Sequence, residues 1–295
     1  MAYHFAGGGA FFSGMLLVAA AGLVSIFLRA WWARLPAAVL GIAGAIFVML
    51  SATPAAPWVC RFWMLLFFAW LVLQVLPKPT VRRAARILGG VLAASCLLGV
   101  LLELPHRARP SLPERSFERV YIIGDSISAG IGRENGGTWP EVLGREHHIE
   151  VVDLSRPGAT TASVLPRVGE VRADGALVVL EIGGNDLLGR TSAKKFAEDL
   201  ERLLAALRKR GPAVLMFELP LFPLRGDYGR AQRRLAARFE VKLIPKRLFA
   251  RILTREGFTL DGLHLSSRGH RAMAAMVWEI VRDSMVAAPG GEAIE

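Results

Sequence analysis

Val120-Tyr121-Ile122-Ile123-Gly124-Asp125-Ser126 is the stretch on which the fold turns. Its first four residues, β-branched and aromatic, suit a short buried strand. Gly124 then allows a turn tight enough to expose the Ser126 hydroxyl. Four more apolar runs follow the same design: Ile149 to Leu154, Ala176 to Ile182, Ala213 to Glu218 and Val241 to Ile244. Between the third and fourth strands, Ser192 to Arg210 carries Phe196, Leu200, Leu203, Leu204 and Leu207 at helical spacing, and Gly211-Pro212 punctuates its end. A closing helix is expected from about Ser266 to Val286. Strand and helix in regular alternation predict an α/β domain with a parallel sheet covered on both faces.

Ligands in such sheets sit beyond the carboxyl ends of the strands. Gly124-Asp125-Ser126 follows the first strand, Gly158 the second, and Gly183-Gly184-Asn185-Asp186 the third. A serine hydroxyl attacks poorly until a base takes its proton, and imidazole suits that task near neutrality. His264 is such a base, with Asp261 three residues before it to fix its tautomer. The Ser126 N–H, the Gly158 N–H and the Asn185 amide offer three donors for a developing oxyanion. The flanks differ from the Gly-x-Ser-x-Gly elbow, because Ser128 stands where that turn needs glycine. Of the other histidines, His147, His148 and His270 are read as surface residues, while His4 and His106 flank apolar segments.

These ordered Ser, Gly, Asn and His blocks resemble the SGNH/GDSL hydrolase superfamily over roughly residues 118–286. The tract Glu181-Ile182-Gly183-Gly184-Asn185-Asp186 is most similar to the bacterial thioesterase I, lysophospholipase and arylesterase branch. Leu265 departs from that branch, standing where it often has proline. The resemblance implies a flavodoxin-like three-layer α/β/α sandwich and a Ser126–His264–Asp261 triad. It also implies oxyanion donors from Ser126, Gly158 and Asn185, with neither metal nor cofactor.

The chain before Pro105 is of another kind. Hydrophobic residues make up 53% of the whole sequence, and the excess lies in four segments, about 11–28, 37–52, 58–76 and 87–104. Each is near the ~20 residues that cross a bilayer as helix, the second being the shortest. Residues 1–104 are therefore expected to form an all-α transmembrane bundle, with Ala21/Ser25 and Gly41/Ala45 as small-residue pairs for close helix approach. Met1-Ala2-Tyr3-His4 lacks Lys and Arg and three apolar segments follow, so the first segment reads as a retained span. Arg29 and Arg34 in the first loop, with Lys78, Arg82, Arg83 and Arg86 in the third, place those loops in the cytoplasm and both chain ends outside. Trp31, Trp32 and Trp58 fall at span ends, and Arg61 lies close enough to one to snorkel. Residues 105–118, with Pro105, Pro110 and Pro113, read as a stiff linker reaching at most about 46 Å. The hydrolase-like domain is assigned to 119–287 and a tail to 288–295.

The net charge of +11 comes without aromatic-basic interleaving or a helix-turn-helix pattern, so lipid headgroups explain it better than nucleic acid. Arg230, Arg233, Arg234 and Arg238, with Lys242, Lys246 and Arg247 beyond, form a basic run that is either a solvated face or a headgroup contact. Cys60 and Cys96 both fall in the apolar half, so no disulfide framework holds the polar half. The expectation is a membrane-integral serine esterase with its catalytic domain outside the cytoplasm, acting on lipid or lysophospholipid acyl esters. The alternatives are an O-acyl (acetyl) esterase or transferase on cell-envelope polysaccharide, and a non-catalytic scaffold with the same fold.

Overall fold

A computed structural model describes residues 2–27, 34–76, 81–112, 117–131, 136–172, 174–189, 191–221, 223 and 225–285. The chain divides into two compact units, Met1–Ala108 with Leu221–Gly226, and Arg109–Pro220 with Asp227–Glu295.

The first unit is helical: α1 (Ala2–Ala6), α2 (Gly9–Phe27), α3 (Leu35–Leu50), α4 (Pro57–Val75) and α5 (Arg82–Glu103), with a 3-10 turn at Leu104–Arg107. Gly9–Phe27, Pro57–Val75 and Arg82–Arg107 are long and apolar enough to cross a membrane. The expected second segment is a 16-residue helix, Leu35–Leu50, about 24 Å long against a ~30 Å hydrocarbon core. Its start fits the sequence, with Pro36 in the first turn. The last helix begins at Arg82, so Arg82, Arg83 and Arg86 lie on it rather than in a loop. Arg29, Trp31, Trp32 and Lys78 lie outside the described residues.

Small residues do bring these helices together, at members of the expected pairs and beyond them: a Cβ on Gly41 would lie 2.8 Å from the Trp70 ring, and one on Gly89 would lie 2.9 Å from Ser25 Oγ. A Cβ on Gly14 would lie 2.5 Å from the Gly44 carbonyl oxygen, and one on Gly22 would lie 2.6 Å from that of Gly89. Ser25 is buried for a polar reason: its hydroxyl accepts from Trp70 Nε1 at 3.2 Å and donates to the Gly22 carbonyl. Leu16, Val39, Phe62, Leu65, Leu97 and Leu102 face outward and exposed.

Among the described residues the second unit carries five strands: β1 (Arg119–Gly124), β2 (Glu150–Asp153), β3 (Ala176–Glu181), β4 (Ala213–Phe217) and β5 (Lys242–Ile244). All pair in parallel, in the order β2-β1-β3-β4-β5. From β1 the chain goes to β2 on one side and later to β3 on the other, so the switch point opens between the carboxyl ends of β1 and β3. Gly124 is in register with Glu181, so the two following loops start side by side.

Its described residues also form seven α-helices: α6 (Ser126–Ala129), α7 (Trp139–His147), α8 (Gly184–Leu188), α9 (Ala193–Arg210), α10 (Gly226–Arg238), α11 (Lys246–Leu253) and α12 (Ser267–Val281). One face of the sheet presents Val120, Ile122, Val179 and Phe217 to Val142 of α7 and Val277 of α12. Strand neighbours alternate faces, so Tyr121, Ile123, Val178 and Leu180 are buried on the other. The α9 stripe Phe196, Leu200, Leu203, Leu204 and Leu207 is buried, and Ser192 caps the helix by accepting from Lys195 N–H. Leu112 and Phe117 belong to the hydrolase core, so the expected linker is largely taken up by structure at its far end. Pro113 and Arg115, and the tail 288–295, lie outside the described residues.

Candidate active site

Ser126 opens α6 directly after β1. Asp125 caps that short helix, its carboxylate accepting from the Ile127 N–H at 3.0 Å, which holds the Ser126 side chain at the rim of the sheet. His264 arrives from a loop closed by the Thr259–Leu265 antiparallel bridge. In that loop Asp261 Oδ1 accepts from the Leu263 and His264 N–H groups at 3.0 and 2.8 Å, and Gly262 takes φ +86°. The same carboxylate reaches His264 Nδ1 with Oδ2 at 2.6 Å. His264 Nε2 lies 3.2 Å from Ser126 Oγ. The three groups, 138 residues apart at the extremes, thus form one continuous chain of hydrogen bonds.

Asp261 is held well below the usual carboxylate range, first by the His264 ring and then by the two backbone N–H groups. It stays ionised through the neutral range, which keeps the Nδ1 proton of His264 in place and favours an imidazolium when one forms.

Gly158 sits in the turn after β2 at φ +74°, with open space where a Cβ would stand. Its backbone conformation, rather than crowding, selects glycine there. Asn185 belongs to α8, and its amide donates to the Ala159 carbonyl at 2.9 Å and to Asp125 Oδ2 at 3.3 Å. One side chain therefore ties together the loop of Ser126, the loop of Gly158 and its own. Asp186 braces the same corner, accepting from the Thr161 N–H and hydroxyl at 2.9 and 2.8 Å.

Sequence reasoning missed the polar network behind Ser126. Glu181, at the end of β3, is buried beside Asp125 and accepts from the Ser128 hydroxyl at 2.9 Å. Ser128 in turn accepts from Trp139 Nε1 at 3.1 Å. The Trp139 N–H donates to His270 Nδ1 at 3.0 Å. Burial lifts Asp125 to about 6, and burial together with the Asp125 charge also raises Glu181 well above its ordinary value. Two carboxylates in so dry a place do not both ionise near neutrality, so the pair holds a proton. A charged residue ending an otherwise apolar central strand was the available signal. The Ser128 hydroxyl serves as an internal partner for that acid.

Two histidines differ from expectation. His270 is buried, on the inward stripe of α12 with Met273, Ala274 and Val277, and burial lowers its pKa, which suits a neutral ring accepting a hydrogen bond. His147 stacks on Trp278 with ring centroids 4.1 Å apart. His148 is exposed at φ +52° and ends α7. The basic run is partly internal as well: Arg233 Nε donates to Glu218 at 2.7 Å, and the buried Lys246 lies 3.7 Å from the same carboxylate. Arg234 remains exposed on α10. Among the described residues no cluster of His, Cys, Asp and Glu is arranged to hold a metal.

Residues 122–272 match the family described as "GDSL-like Lipase/Acylhydrolase family". Among curated relatives, the esterase TesA of Pseudomonas aeruginosa is 27% identical over 204 residues, covering 65% of this chain and 97% of that protein. An arylesterase of Vibrio mimicus is 28% identical over 169 residues, covering 52% of this chain and 83% of the relative. Among solved structures, a crystal structure of TesA superposes with a TM-score of 0.50 at 26% identity, covering 56% of this chain and 98% of the other. With the parallel sheet, the switch-point site and the family match in hand, the chain belongs to the GDSL-like lipase/acylhydrolase family and is a serine hydrolase acting on esters.

Proposed function

We propose that this hydrolase is embedded in a membrane and cleaves acyl-lipid esters, lysophospholipids among them, through an acyl-enzyme on Ser126. The observation that carries the chemistry is the unbroken Asp261–His264–Ser126 relay, at 2.6 and 3.2 Å. In this reading His264 Nε2 takes the hydroxyl proton as Ser126 Oγ attacks the carbonyl carbon, and Asp261 steadies the imidazolium. Charge on the former carbonyl oxygen is met by the Ser126 and Gly158 N–H groups and by the Asn185 amide. The Asn185 hydrogen shared with Asp125 over 3.3 Å is the more weakly held of its two, so it is the one available to turn toward the oxyanion. Collapse of the tetrahedral intermediate expels the alcohol, which takes the proton from His264. Water, activated by the same ring, then releases the carboxylic acid.

The bilayer reading is supported by three helices of spanning length and by large apolar side chains left on their outer surfaces. The distribution of basic residues supports two short loops in the cytoplasm and the hydrolase domain outside. Arg234 is left free to meet anionic headgroups, whereas Arg233 and Lys246 are occupied by Glu218.

The test is hydrolysis by the full chain in lipid nanodiscs, with esters of increasing acyl length. Ser126→Ala is expected to lose activity by roughly 10⁴-fold or more, and wild type to prefer long acyl chains to acetyl. Retained activity in Ser126→Ala contradicts the nucleophile; a clear preference for acetyl contradicts the lipid substrate and favours the polysaccharide O-acetyl alternative.

A further inference from the structure

The helical unit holds buried polar groups that nothing in the hydrolase chemistry uses. Gln74, in the last turn of α4, is 0% exposed, and both its side-chain oxygen and nitrogen lack a partner among the described residues. It lies four residues beyond Trp70, so it continues the inward stripe from which Trp70 reaches Ser25 of α2 and touches Gly89 of α5. One turn past Gly89 toward the start of α5 is the buried Ala85, and one turn further on the same stripe is Arg82. Arg34 caps the start of α3 at this same end of the bundle. It is 3% exposed, Nε is unpartnered among the described residues, and the Arg82 and Arg86 charges oppose its own.

No acid of this unit can answer these charges. Between Met1 and Ala108 the sequence has a single acidic residue, Glu103. It ends α5, a full 22-residue helix away from Arg82. The buried Arg34 and Gln74 and the half-buried Arg82 lie at one end of the bundle, with the exposed Arg86 one turn along α5, and together they offer the donors of an anion site: forked N–H groups for a phosphate's oxygens and an amide N–H for a further one. Basic clefts between membrane helices on the cytoplasmic side suit phosphorylated headgroups.

We propose that Arg34, Gln74 and Arg82, with the exposed Arg86 at the rim, form a binding site for a phosphate group, and that its occupant is the headgroup of an anionic phospholipid entering between the starts of α3 and α5. The site rests on the bilayer placement proposed above and is independent of the ester chemistry.

Full-length protein in phosphatidylcholine nanodiscs is titrated with a fluorescent phosphatidylglycerol, with inorganic phosphate as competitor. Hydrolysis of a soluble aryl ester reports that each variant is folded. Arg34→Gln and Gln74→Glu, which places an internal counter-charge beside the arginines, are each expected to weaken lipid binding about tenfold. Arg83→Gln removes the same charge from an exposed position on the same turn and is expected to change binding by less than about twofold. Inorganic phosphate that displaces the lipid at comparable concentration identifies free phosphate as the occupant and overturns the lipid assignment. Equal losses in Arg83→Gln and Arg34→Gln, or equal binding of phosphatidylcholine and phosphatidylglycerol, overturn the site itself. A chain that stays monodisperse without detergent or lipid contradicts the bilayer placement instead.

Discussion

Glu181 ends β3 and Glu218 directly follows the neighbouring β4, and each is only 2% exposed, yet their surroundings treat them in opposite ways. Burial alone would lift the Glu218 carboxyl; Lys246 and then Arg233 outweigh that and bring it below its ordinary value. Among the described residues Glu181 meets no cation: its partners are Ser128 and a second acid, Asp125, and both acids are pushed up. One strand end therefore carries an ion pair that fastens α10 and α11 to the sheet. The next carries a proton held one residue from Ser126. Position in the sheet exposes an acid to the site, but the charges around it decide whether it braces the fold or stores a proton.

The largest effect is expected at the ion pair. Glu218→Ala removes the carboxylate that faces Arg233 and the buried Lys246, and should cost about 3–5 kcal/mol, read as a fall in the thermal midpoint. Glu181→Gln should change stability far less at neutral pH, because glutamine replaces a carboxyl that already holds a proton.

The pH dependence of stability sharpens the contrast. Glu218 has a lowered folded pKa, so its contribution is present above the ordinary Glu value near 4.3 and is lost as pH falls through the folded one. For Asp125 and Glu181 the folded pKa is raised, so their contribution is complete below about pH 4 and declines as pH rises toward about 6 and beyond. Thermal midpoints across pH 3–8 should therefore show a shallower acid-side slope in Glu218→Gln and a shallower neutral-side slope in Glu181→Gln. The same slope in both variants would dissolve the distinction. Smallest of all, Arg234→Glu, beside the buried-pair residue Arg233, should alter stability by no more than about 0.5 kcal/mol. If Arg234 meets lipid, that variant lowers hydrolysis on anionic vesicles at low salt and leaves it unchanged at high salt.

Much of the hydrolase unit was readable from residue patterns. The central strands β1, β3 and β4 are short and largely apolar, and the α9 stripe is a clean helical repeat, so periodicity located them. The meeting of Ser126 with His264 was readable because the parallel sheet directs its loops to one edge. What escaped were contacts that periodicity does not encode. Arg233 looked like one more member of a basic run, and only its approach to Glu218, 15 residues away, shows it is internal. His270 carries the polarity of a surface residue but falls on the buried stripe of α12, where a backbone N–H from Trp139 satisfies it. In the helical unit the small-residue pairs were a fair signal of close packing, but which glycines meet depends on helix rotation, and that chose Gly14 with Gly44 and Gly22 with Gly89.

Reaction of the full chain with a serine-directed phosphonate, followed by peptide mass mapping, tests the central claim most directly. A single adduct on Ser126 in wild type, formed far more slowly in His264→Ala, is the expected result. An adduct on another residue, or labelling of Ser126 at the same rate without His264, would contradict it.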